Sequence, residues 1–284
     1  MIIRQLQPKD RFAAKALWQD VFCDTSPFAN FYFSRRYTPT LSFGAFDGWE
    51  LVSMALGRRV RIGAPACEAV LIAGVSTLPD YRHRGLMRET MTRLLQNAIA
   101  RGYDLALLSP AIEALYAPFG FKPISHAVEV TVQAPSAPPE RVESISPETP
   151  RLAERLLPIY RGAMRNHPLM PYRRTEEMTL RLRETAADEG AVLAEAEGRG
   201  YLLFVPKGEG IDVLECFATD TETYRLLLET AACRSKEGSA TALLPADCGL
   251  GGTPCRPIHA LVLNDAIDEN ALSRDRRTFC AETY

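Results

Sequence analysis

Four positions within seven residues, Arg82, His83, Arg84 and Arg88, surround a single glycine, Gly85. They stand between an apolar run, Leu71-Ile72-Ala73-Gly74-Val75-Ser76-Thr77, and a strongly periodic stretch that begins at Leu86 and Met87. A strand that enters a basic, glycine-containing turn and then a helix start has the parts of an anion site. The first N–H groups of a helix lack intrahelical partners and carry the positive end of its dipole. A glycine lets the backbone approach a ligand without a Cβ in the way. Clustered arginines raise the local positive potential. The chemistry implied is the cradling of a phosphate or pyrophosphate; the alternative is an ordinary strand–helix connection with exposed arginines.

The neighbouring elements fit the first option. Leu86, Met87, Met91, Leu94, Leu95, Ala98 and Ile99 fall on one face at helical spacing. Gly102 stands where a left-handed residue ends a helix. A second apolar strand is predicted over 103–109, ending at Ser109, and then a short helix near 112–119 that contains Tyr116. Tyr116 has two readings: a phenol placed to give up a proton, or a core ring packed with Phe119 and Phe121.

These stretches resemble the GNAT superfamily of acyl-CoA-dependent N-acetyltransferases, and within it the branch called Eis-like (enhanced intracellular survival). Arg82-His83-Arg84-Gly85-Leu86-Met87 matches the first and fourth positions of the superfamily's Q/R-x-x-G-x-G/A motif; Met87 departs from the small residue at the sixth, where that branch usually has a larger apolar one. Val75-Ser76-Thr77-Leu78-Pro79 resembles the branch's acyl-CoA-binding strand, and Tyr116-Ala117-Pro118-Phe119-Gly120-Phe121 its Y-x-x-F-G-Y/F element. The segment from Val21 through Phe28 to Phe31-Tyr32-Phe33 resembles its N-terminal helical hairpin. The resemblance is specific over about residues 1–133.

It implies an acetyl-CoA-dependent transfer of acetyl to a primary amine of a small molecule or a lysine side chain. Acetyl-CoA would be held by Val75, Ser76, Thr77, Arg82, His83, Arg84, Gly85, Leu86, Met87, Arg88 and Ser109. Tyr116 would be the acid for the leaving thiolate, and no metal would be needed. The base is left open among Asp24, Glu113, His126 and the carboxylate of Tyr284, or none is needed if the amine arrives neutral or loses its proton through water. Phe28, Phe31, Tyr32 and Phe33 line an acceptor cleft or sit in the core. A non-catalytic acyl-CoA-binding or sensing module is the competing function. Eis-like chains add a second GNAT-like unit and then a sterol-carrier-like domain; this chain is expected to hold the second unit and not the third.

Composition narrows the classes. A formal net charge of −2 gives no electrostatic case for nucleic acid. No apolar run approaches the roughly 18 residues of a membrane span. Seven cysteines without motif spacing argue for reduced thiols in a cytoplasmic protein. Cys248, Cys255 and His259 have only a faint metal-ligand look. A homo-oligomer is possible.

The expected fold is α+β: tandem GNAT-like units, each a mixed, mostly antiparallel sheet flanked by helices. The expected division is a catalytic unit over 1–134 with Ala127 to Gln133 as its last strand, a Pro-rich linker over 135–150, and a second unit over 151–284. The second unit repeats the order of elements, with strands at 191–197, 201–206, 211–218, 240–244 and 258–263 and helices at 151–164, 176–185 and 221–233. It has no basic turn. Phe217-Ala218-Thr219-Asp220-Thr221-Glu222 stands at its strand–helix junction, and an acidic helix start repels phosphate. The second unit is therefore expected not to bind acyl-CoA.

Overall fold

A computed structural model describes residues 1–22 and 24–280 of the chain. Two compact units emerge. One is built from Met1–Ile124 with Ile258–Glu269, the other from Ser125–Pro257 with residues 270–280.

The first unit begins with β1 (Ile2–Gln5), then the hairpin α1 (Arg11–Phe22) and α2 (Ser26–Arg35). Thr25 starts α2 by accepting a hydrogen bond from the Phe28 amide at 3.2 Å. An antiparallel meander follows: β2 (Phe43–Asp47), β3 (Glu50–Ile62) and β4 (Cys67–Thr77). The long helix α3 (Leu86–Ala100) comes next. Gly102, at φ +74°, closes it as expected, its N–H donating to the Ile99 carbonyl at 2.9 Å. β5 (Leu105–Leu108) and the two-residue β6 (Lys122–Pro123) complete the N-terminal part. The helix predicted near 112–119 is instead a pair of single 3-10 turns, Glu113–Leu115 and Ala117–Phe119, joined at Tyr116. Pro118 explains the break, since proline cannot supply the N–H that a continuing helix needs.

Ala127–Gln133, expected as the last strand of this sheet, is β7 of the second unit. β8 (Val142–Ile145) lies inside the stretch read as a linker. The remaining elements are α4 (Leu152–Asn166), α5 (Thr175–Ala187), β9 (Ala191–Glu195), β10 (Gly200–Lys207), β11 (Gly210–Ala218), α6 (Thr221–Ala232), β12 (Ser239–Pro245), β13 (Thr253–Cys255), β14 (His259–Val262) and α7 (Glu269–Arg274).

The first unit's sheet runs β1-β2-β3-β4-β5-β14-β6. Its sixth position is filled by β14, from near the end of the chain, antiparallel to both β5 and β6. The second unit contains a four-stranded sheet β11-β10-β9-β8 and a three-stranded one, β12-β7-β13. Each half of the chain thus contributes one strand to the unit built mainly from the other. The first unit has cores on both sheet faces, one against α3 and one under the α1–α2 hairpin. Among the described residues no helix is long and apolar enough to cross a membrane.

Candidate active site

β4 carries the site's geometry. It runs for 11 residues, yet pairs with its parallel neighbour β5 only over Ala69, Val70 and Leu71. From Ile72 to Thr77 the edge of β4 facing β5 has no strand beside it, a length of about 20 Å at 3.3 Å per residue. On its other edge β4 pairs with β3 through a register shift. Ala73 opposes Leu56 and Ser76 opposes Met54, so that Gly74 and Val75 together face the single residue Ala55. This is a β-bulge, which re-aims the backbone groups of the residues it displaces.

Gly74 is required there twice over. Its φ is +57°, and a Cβ on it would fall 2.4 Å from the Trp18 ring. Trp18, on α1, donates its indole N–H to Asp24 at 2.7 Å and packs against Tyr32 and Phe33. Phe28, Tyr32 and Phe33 are buried in the core beneath the hairpin, and Phe31 is half-buried. Trp18 reaches the bulge, and the sequence offered no periodic signal to single it out. After the bulge, the Ser53 hydroxyl donates to the Ser76 carbonyl at 3.0 Å and shares a 2.8 Å hydrogen bond with the Thr77 hydroxyl.

Beyond Thr77 the chain makes one 3-10 turn, Pro79–Tyr81, and then the basic turn. His83 has φ +61° and Gly85 φ +77°. Gly85 is the N-cap of α3 and has no side chain to satisfy the first-turn amides of Leu86, Met87 and Arg88. No protein atom lies within 4 Å of where its Cβ would be, so packing does not demand the glycine; the backbone conformation does. Arg82, His83, Arg84 and Arg88 are exposed. Arg82 Nε donates to the Thr77 carbonyl at 3.2 Å, and Arg84 to the Asp80 carbonyl at 2.7 Å with its guanidinium 5.0 Å from the Tyr81 ring centre. These contacts pin the turn. Leu86 packs with Ala45 and Val52 and Met87 against the α3-side core, so their contribution to a ligand is limited to backbone N–H groups.

The other end of the unpaired edge is bounded by the segment after β5. Ser109 is exposed just past that strand. Tyr116 sits between the two 3-10 turns, its amide donating to the Glu113 carbonyl at 2.9 Å. Its ring stands edge-on to Phe121 at 6.2 Å and packs on the α3-side core. Burial pushes its phenol above the ordinary value of 10.0, so it holds its proton at neutral pH.

The open list of bases shortens. His126 belongs to the second unit: its amide donates to the Thr278 carbonyl and its ring bonds the Ser273 carbonyl at 2.8 Å. Asp24 is engaged by Trp18. Glu113 stays beside Tyr116, and its carboxylate lies 3.5 Å from His259 Nε2. His259 on β14 is a residue that sequence reasoning placed only in a weak metal group. The structure puts it in the first unit's sheet, whereas Cys248 and Cys255 belong to the second unit. No cluster of three potential metal ligands occurs among the described residues. The Tyr284 carboxylate lies outside the described residues.

The second unit has a corresponding strand–helix junction with different side chains. β11 also bulges: Val213 opposes Phe204 and Glu215 opposes Leu203, with Leu214 extra. Glu215 is buried and takes both arms of the Arg173 guanidinium, at 3.0 and 2.9 Å, plus the Tyr201 hydroxyl at 2.8 Å. Arg181 lies 3.5 Å from the same carboxylate and 3.0 Å from Glu184. At the start of α6, Asp220 caps the helix, accepting from the Thr223 amide at 2.8 Å and from its hydroxyl. That carboxylate occupies the place an anionic ligand would need.

Residues 2–124 match the family model described as an acetyltransferase (GNAT) domain. A curated relative, N-acetyltransferase Eis of Mycobacterium bovis, is 34% identical over 92 residues, which are 31% of this chain and 23% of the relative. The chain thus matches about a quarter of that relative's length. Among solved structures, Eis1 from Mycobacterium abscessus superposes with a TM-score of 0.61 at 17% identity, covering 93% of this chain and 74% of that one. A probable N-acyltransferase from Enterococcus faecalis gives 0.68 at 13%, covering 92% and 72%. At these identities the structural likeness establishes the fold.

Proposed function

We propose that this chain, whose residues 2–124 match the model of an acetyltransferase (GNAT) domain, moves acetyl from acetyl-CoA to a primary amine of a small molecule or a lysine side chain. The observation that carries the reading is the continuous course of β4: a bulged, unpartnered edge that leads directly to a helix start with no side-chain cap. A pantetheine arm has an extended backbone to hydrogen-bond with along Val75–Thr77, and a pyrophosphate has the amides of Leu86, Met87 and Arg88. The positive potential of Arg82, His83, Arg84 and Arg88 draws the anion in.

Acyl transfer by direct attack needs the thioester carbonyl polarised, the amine neutral and the thiolate protonated. Backbone N–H groups displaced by the bulge serve the first need, in a site where fixed donors are worth more than in water. Tyr116 serves the last; kept neutral by burial, it can donate to the leaving sulfur, and such general-acid help is typically worth about 10²–10⁴-fold. Holding amine and thioester together supplies several kcal/mol more. In this reading Ser109 borders the acyl end, Trp18 walls the acceptor side, and the second unit is structural.

The test is coenzyme A binding by calorimetry together with thiol release from acetyl-CoA in the presence of alkylamines, polyamines, aminoglycosides and lysine peptides. Binding with amine-dependent release is expected. Binding without release from any amine would replace the enzyme with an acyl-CoA-binding module, and no binding would remove both.

A further inference from the structure

Resting on that acetyl-transfer reading, we propose that His259 is the base that takes the proton from the attacking amine, with Glu113 as the carboxylate that stabilises the resulting imidazolium. Two independent geometric facts bring His259 to the site. β14 pairs antiparallel with β5, and His259 lies directly opposite Leu108, the last residue of β5, where that strand has already parted from β4. Residues directly opposite on an antiparallel pair point to the same face, as do residues two apart on one strand. Leu108 and Leu261 both belong to the α3-side core, against which Tyr116 packs. His259 therefore shares the sheet face of Tyr116. The second fact is the side chain's neighbour: Nε2 is 3.5 Å from Glu113, whose carbonyl is in turn bonded by the Tyr116 amide at 2.9 Å. His259 is 3% exposed, whereas the Glu113 side chain is 72% exposed, so the carboxylate stands on the solvent side of a sheltered ring.

The strands and helix beside His259 are mostly apolar where they are described. β5 offers Leu107 and Leu108 beside His259, and β6 offers Pro123 and Lys122, whose ammonium is held by Glu269 at 2.8 Å. α3 presents Met91, Leu94 and Leu95 to the same core. The proton balance closes without a further reagent. The amine nitrogen forms its bond to the carbonyl carbon, and the carbon–sulfur bond breaks. His259 takes the amine proton and Tyr116 gives its own to the thiolate. Transfer of the imidazolium proton to the tyrosinate restores both groups, and the net products are the amide and free coenzyme A.

The experiment compares the full chain with His259→Gln, Glu113→Gln and Tyr116→Phe, using acetyl-CoA and whichever amine of the panel the wild type accepts. A base must be unprotonated, so the wild-type kcat/KM is expected to rise with pH through a lower limb set by that base. A second limb at higher pH belongs to the amine itself. His259→Gln should lower kcat by about 10²–10⁴-fold and erase the lower limb, while the amine limb stays. Its acetyl-CoA affinity by calorimetry should stay within threefold of wild type. Glu113→Gln should keep the lower limb but move it to lower pH, because the lost carboxylate no longer favours the imidazolium. Rates within threefold of wild type for His259→Gln across the profile, in a variant that binds acetyl-CoA normally, overturn the assignment and leave the acetyl-transfer reading standing. A wild type that releases no thiol with any amine overturns both.

Discussion

The two strand–helix junctions of this chain, β4 into α3 and β11 into α6, are built on the same plan and reach opposite ends. Both strands pair with their meander neighbour through a bulge, and in both a helix follows. In the first, the residue after the bulge is Ser76, small and bonded locally, and the helix start is capped by nothing. In the second, the residue after the bulge is Glu215, locked to Arg173 and Tyr201, and the helix start is capped by Asp220. The first helix start has no side-chain cap; at the second, Asp220 accepts from the Thr223 amide. The lesson is that a fold supplies a cradle, and the side chains at two or three positions decide whether it is open or filled.

The largest effect that bears on this contrast is expected from Tyr116→Phe. It should lower kcat by about 10²–10⁴-fold with little change in acetyl-CoA affinity, the pattern of an interaction made in the transition state. Rates within a few-fold of wild type would reduce Tyr116 to core packing and leave the first junction a binding site only.

Next comes Glu215→Gln. Removing one partner of a buried ion pair strands the other, at a cost of about 3–5 kcal/mol. A urea titration should show that loss, and a neutral outcome would mean that the network does not hold the second junction closed.

Gly85→Glu tests the first junction directly. A carboxylate at the helix start repels phosphate, and φ +77° adds strain of about 1–2 kcal/mol for any residue with a Cβ. Gly85→Asn, which tolerates that conformation better, is the control for strain. Coenzyme A binding should vanish for the glutamate and survive in the asparagine; equal affinity in glutamate variant and wild type would sink the phosphate-turn assignment.

The smallest effect is at Asp220. Replacing the cap by alanine should cost about 1 kcal/mol in thermal or urea unfolding. The Thr223 amide, first among several hydrogen bonds, holds the Asp220 carboxyl below its ordinary 3.8. Its contribution is therefore fully present above that value and is lost as the pH falls through the lowered one, so wild type and variant should converge in acid. Convergence at high pH instead would contradict the cap.

Much of the first junction was legible in the chain itself. Apolar periodicity from Leu86 to Ala98, the glycine at its head and the alternating strands of the meander are local signals, and each produced the element expected of it. The acidic start of α6 was equally plain. The repeat of elements between the halves was visible for the same reason, since hydrophobic period depends only on near neighbours in sequence.

What tertiary structure alone decided was partnership. Residues 258–263 read as a strand, but nothing in their alternation says that they pair with β5 rather than with strands of their own half. Likewise 127–133 gave a strand whose partners, β12 and β13, lie more than 100 residues downstream. Pairing across such distances is settled by which faces must be buried together. That exchange is what moves His259 from a Gly/Pro-rich stretch to the side of Glu113. The stretch near 112–119 likewise suggested a helix, and Pro118 with the packing of Tyr116 on Phe121 turned it into two short turns. Sequence determined the elements and the basic turn because these rest on local backbone preference and period. The pairing of β14 with β5 depended on contacts between distant segments, which no local pattern encodes.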